Sequence, residues 1–195
     1  MIPRSFSRVS FVLAFSFFMA ACGSRHDPEA PLVPMGDFRL GHVVVIDDQA
    51  EIGPFSRKAE AGAWKEVLTE EIGKQLGRYK GGKLYHLGIR VDGYVLAIPG
   101  VPVVVNPKSV LIVSVTVWDD AKEGKLTARP QQLVVLERLS PETFIGSGLT
   151  QNRQRQMRNL SRNMAAKIHG YLLKNPEWFG LQSGAAPLPG GGGDK

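Results

Sequence analysis

Apolar positions recur along this chain with two different periods. In "KLYHLGIRVDGYVLA", residues 83 to 97, Tyr85, Leu87, Ile89, Val91 and Val95 fall on one side of an extended chain and His86, Arg90, Asp92 and Tyr94 on the other. A period of two marks a strand with one buried and one wet face. "SVLIVSVTVWD", 109 to 119, repeats the pattern with Leu111, Val113, Val115 and Val117 opposite Ser114 and Thr116, and "QQLVVLERL", from 131, reads as a further strand. Earlier, "HVVVID", 42 to 47, is a short β-branched strand bounded by the turn-prone "DDQAEIGPFS". The period changes to three and four between about 57 and 79, where Trp64, Val67, Leu68, Ile72 and Leu76 predict an amphipathic helix stopped by "YKGG". It does so again between about 151 and 174, where Met157, Leu160, Met164, Ile168, Tyr171 and Leu172 form the stripe and Asn175 and Pro176 end it. Trp178 and Phe179 are expected to tuck back over the core.

The resulting order is strand, helix, three strands, helix. It predicts an α+β domain of two layers: a mostly antiparallel sheet of about four strands with two amphipathic helices over one face. No internal repeat is visible. The expected organisation is a signal segment over 1 to 21, a flexible tether over 22 to 40, the globular domain over 41 to 180 and a disordered Gly/Pro-rich tail over 181 to 195. The prolines and lack of periodicity from Gly23 to Leu40 argue for an irregular chain, which at eighteen residues reaches at most ~60 Å.

The opening segment carries Arg4 and Arg8, no acid, and an apolar run from Phe11 to Ala21. This is the order of an export signal, and the run is far shorter than the ~20 residues needed to span a bilayer. It ends at Cys22, the only cysteine of the 195 residues. Met19, Ala20, Ala21 and Cys22 resemble the lipobox of bacterial lipoproteins, with Met19 in place of the usual Leu. The resemblance implies that Cys22 is the lipid-attachment residue and the first residue of the mature chain. A thiol suits that chemistry because its thiolate is a strong nucleophile. It also accounts for an unpaired cysteine in an oxidising compartment, where a free thiol invites wrong disulfides. Gly23 stands where some Gram-negative lipoproteins carry an inner-membrane retention aspartate, so the resemblance favours the outer membrane over the inner, with the domain facing the periplasm.

Charge changes little in this picture. Of 24 Lys plus Arg and 18 Asp plus Glu, the signal holds two arginines and no acid, so the formal charge falls from +6 to +4 once it is removed. That balance lacks the dense basic stripe of a nucleic-acid binder, so no nucleic acid is expected as a partner. The sequence contains no H-E-x-x-H, no G-x-S-x-G and no phosphate-binding glycine loop, and its four histidines are scattered. "GSG", 146 to 148, reads as a turn, because a nucleophilic serine needs a base and an orienting acid. The pairs Asp47–Asp48 and Asp119–Asp120 read as turn residues at strand ends, although convergence would make a hard-cation site. No catalytic residue, metal or cofactor is expected, and a small-molecule ligand is left open.

Two features suggest contacts. The stretch "AIPGVPVVVNPKS", 97 to 109, mixes loop-forming prolines with Ile98, Val101, Val103 and Val104, the composition of an exposed apolar loop. Arg155, Arg158 and Arg162 share one sector of the last helix with His169, opposite the core stripe, where they would face phosphate or acidic groups. Lipobox, tether and element order together resemble small periplasmic α+β lipoproteins: auxiliary lipoproteins of ABC-type envelope transporters, the lipopolysaccharide-assembly lipoprotein and the curli-secretion type. "GSGLTQ" with "NPEWF" is similar to uncharacterised lipoproteins. The resemblance implies a non-enzymatic, membrane-anchored accessory of an envelope complex; the alternative is a periplasmic carrier for a lipid or other apolar ligand.

Overall fold

The alternation read from "SVLIVSVTVWD" decides how this chain folds. In β4 (Val110–Asp119) Leu111, Val113, Val115 and Val117 are all fully buried, while Ile112, Thr116 and Trp118 point to the opposite side. Each sealed side chain contributes about 1.5–3 kcal/mol relative to exposure. The computed structural model describes residues 31–98, 109–137 and 153–181, and the elements are β1 (Phe38–Ile46), β2 (Glu51–Ile52), α1 (Ala63–Leu76), β3 (Lys83–Val95), β4, β5 (Gly124–Lys125), β6 (Gln131–Leu136), α2 (Arg153–Leu173) and a 3-10 turn at Pro176–Phe179.

The fold is α+β with a mixed, open sheet. β3, β4 and β6 pair antiparallel, and β5 also adds antiparallel to β4. The first strand departs from the meander: β1, and β2 after it, lie parallel to β3. Parallel neighbours need a crossover, and α1 is carried in it. The six strand segments are four strands wide, because β2 prolongs the β1 side and β5 lies beside β4 on the β6 side. Both helices pack over one face, through Trp64, Leu68, Ile72 and Leu76 of α1 and Met157, Leu160, Met164, Ile168 and Leu172 of α2.

Two boundaries and one register differ from the sequence reading, each for a visible reason. α1 begins at Ala63 instead of near Arg57 because the preceding residues run beside the tail of β3, where the Arg57 N–H donates to the Leu96 carbonyl at 2.9 Å. Gly62, at φ +75°, then takes a left-handed turn that closes off any earlier helical start. Asp47 caps the helix from the end of β1, its carboxylate accepting the Lys65 N–H at 3.2 Å. β1 starts at Phe38, inside the stretch expected to be tether, and Met35 is already buried. On β3 a bulge at Asp92 shifts the register between Val91 and Gly93. The alternation therefore changes phase: Tyr94 and Leu96 turn inward and Val95 turns out, the reverse of the strict period.

The start and finish of the described chain are locked together. Phe179 is 1% exposed, meets Phe38 and Tyr85 edge-on at 5.1 and 5.0 Å, and so holds the end of the chain against the first strand. The Asp37 N–H donates to the Phe179 carbonyl at 2.9 Å, and the Tyr85 hydroxyl donates to the Trp178 carbonyl at 3.1 Å. Gly36, at φ +61°, makes this approach possible, since a Cβ there would lie 2.3 Å from the Phe179 oxygen. Replacing Phe179 by Ala should cost about 3–5 kcal/mol in urea unfolding. Trp178→Ala should cost clearly less, because Trp178 is only half-buried against Tyr171.

Candidate functional site

The face of the sheet turned away from the helices is built by the residues that the core rejects. Cross-strand pairing sets them in rows: Gly88 beside Thr116, then Arg90 beside Ser114 beside Gln132, then Gly93 beside Ile112 beside Val134, and last Val95 beside Val110 beside Leu136. Across β3, β4 and β6 the first two rows carry the polar side chains, while β1 adds exposed Val44 beside Gly88 and Ile46 beside Arg90. The last two form an apolar end, with Leu136 55% exposed and Val134 exposed as well. On the other side of β3 the same end carries Ile52, Phe55 and Ile98, all exposed.

Between the two zones lies a polar belt centred on Asp92, the bulged residue. Its carboxylate accepts Ser114 Oγ at 2.6 Å, Gln132 Nε2 at 3.1 Å and Arg90 Nε at 2.8 Å. Burial pushes the Asp92 carboxyl up, but the hydrogen bonds from Ser114, Gln132 and Arg90 outweigh it and hold the group below its usual range. All three partners donate to the ionised form, so this carboxylate is a fixed structural anion.

The fold also makes a histidine–acid pair that the sequence hides. His86 Nε2 lies 3.0 Å from Asp120 Oδ1, and His42 stacks on His86 with ring centroids 5.1 Å apart. His86 Nδ1 accepts the His42 backbone N–H at 2.8 Å, which leaves Nε2 carrying the proton given to Asp120. With both ring nitrogens engaged, the pair has no nitrogen left to act as a base. Asp119 acts in a turn, accepting the Lys122 N–H at 3.3 Å. Among the described residues no three of His, Cys, Asp or Glu gather where a metal ion could be held.

The residues singled out from sequence are dispersed. Cys22, Val101, Val103 and Val104 lie outside the described residues. Ile98, 39% exposed, stands just past β3 at the apolar end. Arg155, Arg158 and Arg162 are exposed on α2 as their spacing requires, but the sector is not a bare basic face, because α1 runs beside it with its own acids. Arg162 Nε is 3.5 Å from a carboxylate oxygen of Glu71, a buried residue that also meets Lys74 at 3.2 Å. Arg158 lowers the pKa of Glu70, after the larger effect of Lys74. His169, grouped with them by spacing, turns into the seam between the helices: Gln75 meets its Nδ1 at 2.9 Å and Tyr79 its Nε2 at 2.6 Å. The Tyr79 hydroxyl donates in turn to the Val33 carbonyl at 2.8 Å, tying the incoming chain to both helices.

Sequence reasoning missed Phe55, Ile52, Val134 and Leu136. The signal for the last two was present, since Val134 and Leu136 alternate with the buried Leu133 and Val135.

No protein-family model matches the chain. No curated protein matches it either. Among solved structures it is similar to a Xanthomonas campestris protein of the DUF330 family, at 10% identity and TM-score 0.45 over 72% of this chain and 86% of that one. It is similar to a putative lipoprotein from Caulobacter crescentus at 13% identity and TM-score 0.35, over 70% of this chain and 88% of that one. It is also similar to a minor lipoprotein from Acinetobacter baumannii at 15% identity and TM-score 0.29, over 67% and 93%. Likenesses this distant carry nothing of function from those proteins to this chain.

Two measurements check the site's electrostatics. Because the Asp92 pKa is depressed in the folded state, its contribution is present above the unfolded carboxylate value of about 4 and is lost as pH falls below it. The urea midpoint of Asp92→Asn should therefore fall less between pH 7 and pH 3 than that of the parent. Arg162→Ala should cost about 1 kcal/mol by leaving buried Glu71 with Lys74 as its remaining ion-pair partner, whereas Arg155→Ala should stay within about 0.5 kcal/mol of the parent.

Proposed function

We propose that the chain is a lipid-anchored, non-enzymatic lipoprotein of the cell envelope, facing the periplasm, that serves as an accessory to a transport or assembly complex. The observation that carries the reading is the lone Cys22 placed directly after an apolar export signal. Diacylation or triacylation there gives stable membrane residence, which one chain alone does not. Gly23 favours the outer membrane.

The domain's construction supports docking over carriage. The space between sheet and helices is filled by its own side chains: Leu111, Val113 and Val115 meet Leu68, Ile72, Leu160 and Ile168, all fully buried. A carried ligand would need that interlayer opened. The apolar surface lies instead outside, at the end of the sheet where β3 and β6 finish. The chain reaches the domain at the other end, where Val33 and Asp37 are fastened to Tyr79 and Phe179. Along β3, thirteen residues separate the two ends by about 40 Å. Residues from Leu32 onward are held to the domain, so nine residues lie between them and Cys22, a length that spans at most ~30 Å. An anchor at Cys22 would therefore hold the domain within that reach of its membrane.

Cys22→Ala should move the protein from the membrane to the soluble fraction, and labelled palmitate supplied to cells should appear on the parent chain only. Retention of the variant with membranes, or an unlabelled parent, would sink the anchoring claim.

A further inference from the structure

We propose that Phe55 is the seating residue of the docking surface: an aromatic knob, held in place before binding, that enters an apolar cleft of a partner protein. This deepens the docking reading above and rests on it. Phe55 is 72% exposed, the most exposed large apolar side chain among the described residues. Its backbone has φ +55°, a left-handed conformation that bulky side chains rarely adopt and glycine adopts freely. Folding supplies no reason for either feature. The ring gains almost no burial, and glycine at this position would relieve the backbone. Exposure and strain at one residue are independent marks of a contact made outside the fold.

The backbone on both sides is pinned to the tail of β3. The Gly53 N–H donates to the Tyr94 carbonyl at 2.9 Å, the Leu96 N–H to Ser56 Oγ at 2.8 Å and the Arg57 N–H to the Leu96 carbonyl at 2.9 Å. The knob is therefore presented on a fixed frame, so little order is lost on binding. Ile52, three residues before it, and Ile98, two residues past Leu96, are exposed as well. An aromatic ring with aliphatic neighbours is the composition of an interface hot spot.

Charge selects the occupant. A surface for anionic lipid would turn its cations outward. Here Arg57 Nη2 donates to Gln156 Oε1 at 2.6 Å, and Arg153 bonds Glu60 and the Lys58 carbonyl. Glu51 and Glu60, four residues before and five after Phe55, are both exposed, so the segment carries charges of both signs. That pattern fits the polar rim of a protein interface.

The test places a photo-crosslinking phenylalanine analogue at position 55 in cells, with exposed Val44 on another part of the sheet as control. The protein captured is then identified, purified and titrated against the full chain in detergent. Crosslinking should be several-fold stronger at 55. Phe55→Gly should weaken the measured Kd by about thirtyfold, the loss expected of a hot spot. It should also raise the thermal midpoint by about 2–4 °C through relief of the backbone, which excludes misfolding as the cause. Equal crosslinking at 55 and 44, or a Kd within threefold of the parent, overturns the proposal. So does binding of the Cys22→Ala chain to phosphatidylglycerol vesicles that vanishes on Phe55→Gly, because the occupant would then be lipid. If Ile98→Ser and Leu136→Ser abolish binding while Phe55→Gly does not, the docking reading stands and this assignment alone fails.

Discussion

The β3–β4 ladder is the constraint on which the rest depends. Its inward side chains, Tyr85, Leu87, Ile89 and Val91 on one strand and Leu111 to Val117 on the other, are sealed almost completely. An apolar stripe of that density must be covered, and the two amphipathic helices cover it from one side. Once both helices are committed there, no described helix is left for the opposite face. The open face is thus a consequence of the core and not a separate design. Its character is decided by the residues that alternate out: polar where Arg90, Ser114 and Gln132 meet Asp92, apolar where Ile112, Val134 and Leu136 line up.

The strand and helix order was legible because period is a local property. The four inward positions of β4 can be named from the sequence alone, and α2's stripe likewise. What could not be read depends on partners distant along the chain. The bulge at Asp92 is invisible in "IRVDGYVLA", because it is stabilised by Ser114 and Gln132, 22 and 40 residues away. The late start of α1 depends on Arg57 finding Leu96, and the early start of β1 on Phe38 finding Phe179. For the arginines of α2, helical spacing placed three of them outward correctly. It could not show that Glu70 and Glu71 of a second helix would lie alongside.

The site was less legible than the fold for a related reason. Sequence reading looks for residue types that perform chemistry, and here those types are used up in holding the fold. Asp47 caps a helix, Asp119 closes a turn, and His86 spends one nitrogen on a backbone N–H and the other on Asp120. Each such bond offsets the cost of leaving a polar group unpaired. What stays uncovered at the end of the sheet is apolar, and nothing in a single sequence distinguishes an aliphatic residue that will be covered from one that will not.

The two ends of the sheet differ in what they do with their aromatic residues. Where the chain arrives, Phe38, Tyr79, Tyr85 and Phe179 interlock through edge-on and stacked contacts and exclude water. The aromatic residues available there were placed to bury themselves. At the far end the chain carries a phenylalanine and leaves it in solvent, in a backbone conformation it disfavours. Every large apolar side chain left uncovered forfeits on the order of 1.5–3 kcal/mol that burial would have supplied. A chain able to seal one end so closely was not short of means to seal the other. The asymmetry is what the docking role proposed for this end of the sheet would require.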